Sequence, residues 1–158
     1  SEDAVEKARE LIRNGAHIVT DTNMALAGIN KKMLARFGGE VHCFMAEETV
    51  AEEAVRRQIT RAAVSMEHAA KLARDRKLKM IFAVGNAPTA LIRLHEMMEE
   101  GQFFPDFIIG VPVGFVNVEA AKELILNDPA PYIVNRGRKG GSNIAAAICN
   151  AVLYGLGR

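Results

Sequence analysis

The sequence predicts an α/β domain: an open parallel, or mostly parallel, sheet of about five strands with helices on both faces. Three observations predict it. Met80 to Val84 is a continuous apolar run, as a strand covered on both faces requires. Gly85-Asn86-Ala87-Pro88-Thr89 breaks that run, and Ala90, Leu91, Leu94, Met97 and Met98 then recur at helical spacing. The same strand–loop–helix order returns twice, from Phe107 and from Tyr132. Three such units place three loops on one edge of a parallel sheet, where open α/β sheets bind ligands.

The totals agree. A chain of 158 residues with 49% hydrophobic and 25% charged residues is long enough for one domain with its own core. A net charge of +1 gives no field that would recruit nucleic acid or a membrane surface. No apolar run is long enough to span a bilayer, and no signal-peptide pattern is visible. Cys43 and Cys149 are far apart and lack metal-ligand spacing, so they read as reduced cysteines of a cytoplasmic protein.

The elements follow in order. Ser1-Glu2-Asp3 reads as a helix start, Ala4, Val5, Ala8, Leu11 and Ile12 as an apolar stripe, and Asn14-Gly15 as its end. The first strand spans Ala16 to Thr20. Asp21-Thr22-Asn23 follows at its carboxyl end, before a short helical stretch to Gly28. Asp21 caps that stretch in the simpler reading; in the other, Asp21, Thr22 and Asn23 face a ligand. Val41 to Met45 is the second strand, and a helix starts at Glu47-Glu48-Thr49. Thr60 caps the next helix, from about Ala62 to Arg76. Arg61 in its first turn opposes the helix dipole, which hints at another duty such as pairing a carboxylate. Asn86 is a plausible cap for the helix that Pro88 enters and Gly101 closes. The free N–H groups of that turn suit an anion. Asn127-Asp128-Pro129 stops the helix that begins near Asn117. The last helix runs from Ser142 to about Tyr154, and Gly155-Leu156-Gly157 ends it.

The strongest chemical signal is Arg136-Gly137-Arg138-Lys139-Gly140-Gly141-Ser142. Glycines let a backbone approach a ligand, and cations with N–H groups make a concave anion site; the alternative is a solvated basic turn with a Ser cap. The loop is neither a P-loop nor a dinucleotide fingerprint. His17, His68 and His95 read as structural. His42, near the end of a strand, is a fallback general acid, and Cys43 beside it points to the other face. By itself this chemistry gives an anion-friendly edge, for phosphate or carboxylate.

Taken together, GNAPTAL (Gly85 to Leu91), GVPVGFV (Gly110 to Val116) and NRGRKGGS (Asn135 to Ser142) resemble the precorrin-8X methylmutase family, also called precorrin isomerase or cobalt-precorrin-8 methylmutase. The resemblance extends through IVTDTNMALAGINK (Ile18 to Lys31) and ITRAAVSME (Ile59 to Glu67). It implies an isomerase of cobalamin biosynthesis that moves a methyl group from C11 to C12 of a corrin precursor, giving hydrogenobyrinate or cobyrinate. It implies no redox or metal cofactor, and a homodimer with the active site near the subunit interface. It implies substrate contacts at Asp21, Asn23, Thr60, Arg61, Asn86, Thr89, Arg136, Arg138, Gly140, Gly141 and Ser142. The family's catalytic histidine lies in an N-terminal helical segment ahead of what SEDAVEKA matches, and no histidine here matches it. Residues 1–158 are therefore expected to be one methylmutase-like domain without that segment. Two other readings stand beside this one: a corrin-binding homologue without catalysis, and a nucleotide-binding α/β domain, against which the missing phosphate fingerprints count.

Overall fold

The computed structural model describes residues 1–156. Five strands form one all-parallel sheet: β1 (His17–Thr20), β2 (Val41–Cys43), β3 (Met80–Val84), β4 (Phe107–Gly110) and β5 (Tyr132–Val134). Their order is β2-β1-β3-β4-β5. Ile18 pairs with Val41 on one side and Ile81 on the other, and Ile108 pairs with Tyr132. The order reverses between β1 and β3, so a crevice opens at their carboxyl ends.

Eight helices are described: α1 (Ala4–Arg13), α2 (Asn23–Gly28), α3 (Lys31–Ala35), α4 (Glu48–Arg57), α5 (Arg61–Arg76), α6 (Pro88–Glu99), α7 (Val118–Leu126) and α8 (Ser142–Leu156). Two cores lie on opposite faces of the sheet. Met66, Ala70, Leu91, Leu94, Ala121 and Ile125 pack from α5, α6 and α7 onto Val19, Phe82 and Ile108. Ala8, Ile12, Ala145, Cys149 and Val152 pack from α1 and α8 onto Ile18, Ile81 and Ile109. Alternation along each strand sends neighbours to opposite faces, and both faces are apolar because both are covered. Burial holds the Cys149 thiol up to about 12, and Cys43 is likewise free.

Several expected boundaries move. Val5 is 44% exposed and leaves the α1 stripe. Asp3 stands at the α1 cap position without a side-chain cap bond. β2 ends at Cys43, two residues early, and β4 at Gly110, one early. α3, capped by Asn30, has no counterpart among the expected elements. α8 continues through Gly155 to Leu156; Gly157, expected to help end it, lies outside the described residues.

An ion-pair cluster ties α4, α5 and α6 together. Arg57 donates to Glu67 at 2.5 and 2.9 Å and to Glu53, while Arg93 Nε donates to Glu67 at 2.9 Å. The Arg57 guanidinium holds the Glu67 carboxyl below its ordinary value. A lowered folded pKa stabilises the fold above the unfolded value near ~4.3, and that share is lost as pH falls through the folded value. Glu67→Gln is expected to cost about 1 kcal/mol at pH 7, since the pair is partly solvated. Its urea midpoint should also fall less than that of the parent chain between pH 6 and 3; equal slopes would refute the assignment.

Candidate functional site

The loops at the carboxyl edge are joined by side chains that belong to distant parts of the chain. Asp21 follows β1 and is fully buried. Its Oδ1 accepts the Gly85 N–H at 2.8 Å, and its Oδ2 accepts those of Asn86 at 2.9 Å and Ala87 at 2.6 Å. Burial pushes this carboxyl above the ordinary carboxylate value, and the three N–H donors pull against that rise. The turn after β3 was expected to offer its N–H groups to an anion. It does hold one, and the anion is the chain's own.

Two expected caps change as a result. Thr22, not Asp21, caps α2, its hydroxyl accepting the Ala25 N–H at 3.1 Å. Ala87 occupies the cap position of α6 and gives no side-chain bond, so Asn86 is not the cap. Its side chain is left exposed at the edge. The Thr60 cap and the Pro88 entry stand as expected.

Other ties close the edge. The Thr22 hydroxyl donates to Ser142 Oγ at 2.8 Å, across 120 residues. The Thr60 hydroxyl donates to that of Thr89 at 2.9 Å, bringing two expected contacts together. A Cβ on Gly85 would lie 2.7 Å from Ser142 Cα, and one on Gly140 would lie 2.0 Å from the Val111 carbonyl. Glycine at these positions lets the β3 turn and the β5 loop touch their neighbours. The Gly141 N–H donates to Val111 O and the Gly114 N–H to Arg138 O, so the β5 loop leans on the β4 loop.

The cations are outward. Arg138 Nε pairs with Glu119 at 2.9 Å, and its guanidinium lies 5.4 Å over the Phe115 ring. Arg136 lies 3.7 Å from Glu123 and is mostly exposed. Arg61, the first residue of α5, has no carboxylate partner among the described residues, and Asn23 is exposed at the start of α2. Phe115 is 82% exposed, and Val113, Val116 and Met24 are exposed near the same edge. The edge thus combines cations, hydroxyls and open apolar surface.

The histidines are engaged elsewhere. His42 Nε2 meets His17 Nδ1 at 2.9 Å, with the rings within 5° of parallel. His17 is the first residue of β1, so the fallback acid is directed at the opposite end of that strand from the loops. Glu40 lies near both. The ring centroids are 5.1 Å apart, so the rings meet end to end, one nitrogen donating its N–H to the lone pair of the other. That geometry shares a proton; a metal needs lone pairs converging on a third point. His68 contacts Glu53, and His95 Nδ1 meets both Asp128 oxygens at 3.0 and 2.9 Å.

Sequence reasoning missed Lys122. It sits on α7, 1% exposed, and its Nζ donates to the carbonyls of Gly137 at 2.7 Å and Lys139 at 2.9 Å. Its only local signal is a lysine among apolar neighbours on an amphipathic helix, a pattern that usually means a solvated face.

The family model CbiC, precorrin-8X methylmutase, matches residues 1–155. A cobalt-precorrin-8 methylmutase of Salmonella typhimurium is 44% identical over 99% of this chain, and one of Priestia megaterium is 41% identical over 95%. The chain spans 71% and 65% of those two proteins. Among solved structures, a precorrin-8X methyl mutase from Thermus thermophilus superposes with a TM-score of 0.83 at 36% identity. That match covers 98% of this chain and 73% of the other.

Proposed function

The chain belongs to the precorrin-8X methylmutase family, and from that premise we propose that it acts on a corrin precursor, moving a methyl group from C11 to C12 of precorrin-8X or cobalt-precorrin-8. The observation that carries this reading is the meeting of Arg138 with exposed Phe115. There a cationic loop and an apolar loop form one continuous surface. The substrate is an apolar macrocycle fringed with carboxylates, and it needs both at once. Arg61, Arg136 and Arg138 take the carboxylates, where a fork-shaped guanidinium is better suited than an ammonium. Asn23, Asn86, Ser142 and the Thr60–Thr89 pair offer hydroxyl and amide contacts around them. Asp21, though counted among the contacts, supports the site from beneath. The exposed apolar loop also fits a homodimer, and a cytoplasmic location is part of the same proposal; among the described residues no helix is long and apolar enough to cross a membrane.

A visible-absorption titration with hydrogenobyrinic acid tests the reading. A saturable spectral shift is expected, weakened about tenfold in Arg138→Ala, the equivalent of one charged hydrogen bond. No shift at stoichiometric protein, or an unchanged affinity in that variant, would overturn it. A second reading, corrin binding without turnover, is favoured by the four histidines, each paired with another side chain away from the loops. The migration needs a general acid, and methyl migration by this chain at the rate of an intact enzyme would exclude that second reading.

A further inference from the structure

We infer that Lys122 is a positioning residue: its buried ammonium draws two carbonyls of the β5 loop inward and so turns the Arg138 and Gly140 N–H groups outward to bind a substrate carboxylate. The inference rests on the proposed corrin reading for the identity of the ligand, and on geometry for the rest.

Lys122 Nζ binds Gly137 O and Lys139 O from below, and Asn135 Nδ2 adds a second donor to Lys139 O at 2.8 Å. Among the described residues every peptide bond is trans. In a trans peptide the C=O of one residue and the N–H of the next point in opposite directions. The Arg138 and Gly140 N–H groups are therefore directed away from α7. Neither meets an acceptor among the described residues, whereas the Gly114 and Gly141 N–H groups nearby both do. Gly137, at a φ of 90°, supplies the reversal that lets alternate carbonyls face the same cation. These two unpartnered N–H groups, on the loop that carries Arg136 and Arg138, make a donor site for a carboxylate.

A buried lysine is costly unless its charge is met. Burial indeed lowers the Lys122 pKa, with Glu119 opposing the change. A methionine of similar volume would suit the apolar surroundings and leave the carbonyls free to rotate. A lysine here serves the loop's orientation.

The test follows amide resonances of Arg138 and Gly140 in the unaltered chain, titrated with hydrogenobyrinic acid and, separately, with propane-1,2,3-tricarboxylate. Downfield movement of both protons is expected, as for N–H groups donating to a carboxylate. Lys122→Met should lose these shifts and bind the corrin about tenfold more weakly, with both arginines still present. A merely structural lysine would lower thermal stability but leave the amide response of the folded variant intact. If the corrin binds while both amides stay still, the inference fails and the proposed function stands. If the corrin does not bind but the tricarboxylate moves both amides, the proposed function fails and the loop's role stands. Should Lys122→Met not fold, Lys122→Arg, which keeps the cation on Gly137 O and Lys139 O, is expected to retain the amide shifts, and still amides in the unaltered chain overturn the inference.

Discussion

Asp21→Asn is expected to destabilise the protein by about 1–3 kcal/mol, the range for leaving a buried N–H donor without its acceptor. Asparagine keeps the shape. However, its amide nitrogen donates where one carboxylate oxygen accepted, so it faces either the Gly85 N–H or those of Asn86 and Ala87. At least one N–H then stays buried without a partner. Asp21→Gly separates charge from shape, because it empties the site and leaves the three donors in place. Formate, the carboxylate without its side chain, is expected to restore thermal stability to Asp21→Gly in a saturable way, where equal chloride does not. Urea unfolding and thermal melts check both variants. A cost below about 1 kcal/mol for Asn, an ordinary surface-like value, would show that the three hydrogen bonds are not what holds the turn.

Gly140→Ala is expected to reduce corrin affinity about 100-fold or more, the equivalent of two charge-assisted hydrogen bonds, while leaving the fold intact. The new Cβ would lie 2.0 Å from Val111 O and 2.6 Å from Pro112 O, and both are backbone atoms that cannot swing aside. The β5 loop must lift from the β4 loop, breaking the Gly141 bond to Val111 O. Gly38→Ala, between α3 and β2 and away from these loops, is the control. Nothing lies within 4 Å of its added Cβ, so only the φ of 92° is strained, at a cost of about 1–3 kcal/mol. The titration with hydrogenobyrinic acid should separate the two, and equal affinities would reject the contact between loops as the cause.

What was legible in the sequence was what local pattern encodes. Met80 to Val84 and Tyr132 to Val134 match β3 and β5 because a strand between two covered faces is apolar throughout. Thr60 was legible because a cap bonds three residues ahead. Asn86 was misread for the opposite reason. The N–H groups of Gly85, Asn86 and Ala87 are taken by a carboxylate 64 to 66 residues earlier, which sets the turn, and no local spacing encodes that. The Thr22–Ser142 bond and the Lys122 clamp are hidden in the same way. His42 was judged by its place near a strand end, but its ring direction depends on a neighbouring strand's His17. The edge was visible as a row of loops; how the loops hold one another was not.

The tie between Asp21 and the Gly85–Ala87 turn divides a host and its guest between two stretches of chain, with α2, α3, β2, α4, α5 and β3 lying between them. The turn cannot take its final shape until β1 and β3 are side by side, so its geometry is inherited from the assembled sheet and not from its own residues. A turn of the same sequence transplanted elsewhere would be an empty receptor. Variation that preserves Gly85 to Thr89 but alters the end of β1 would therefore change the crevice as surely as altering the turn itself.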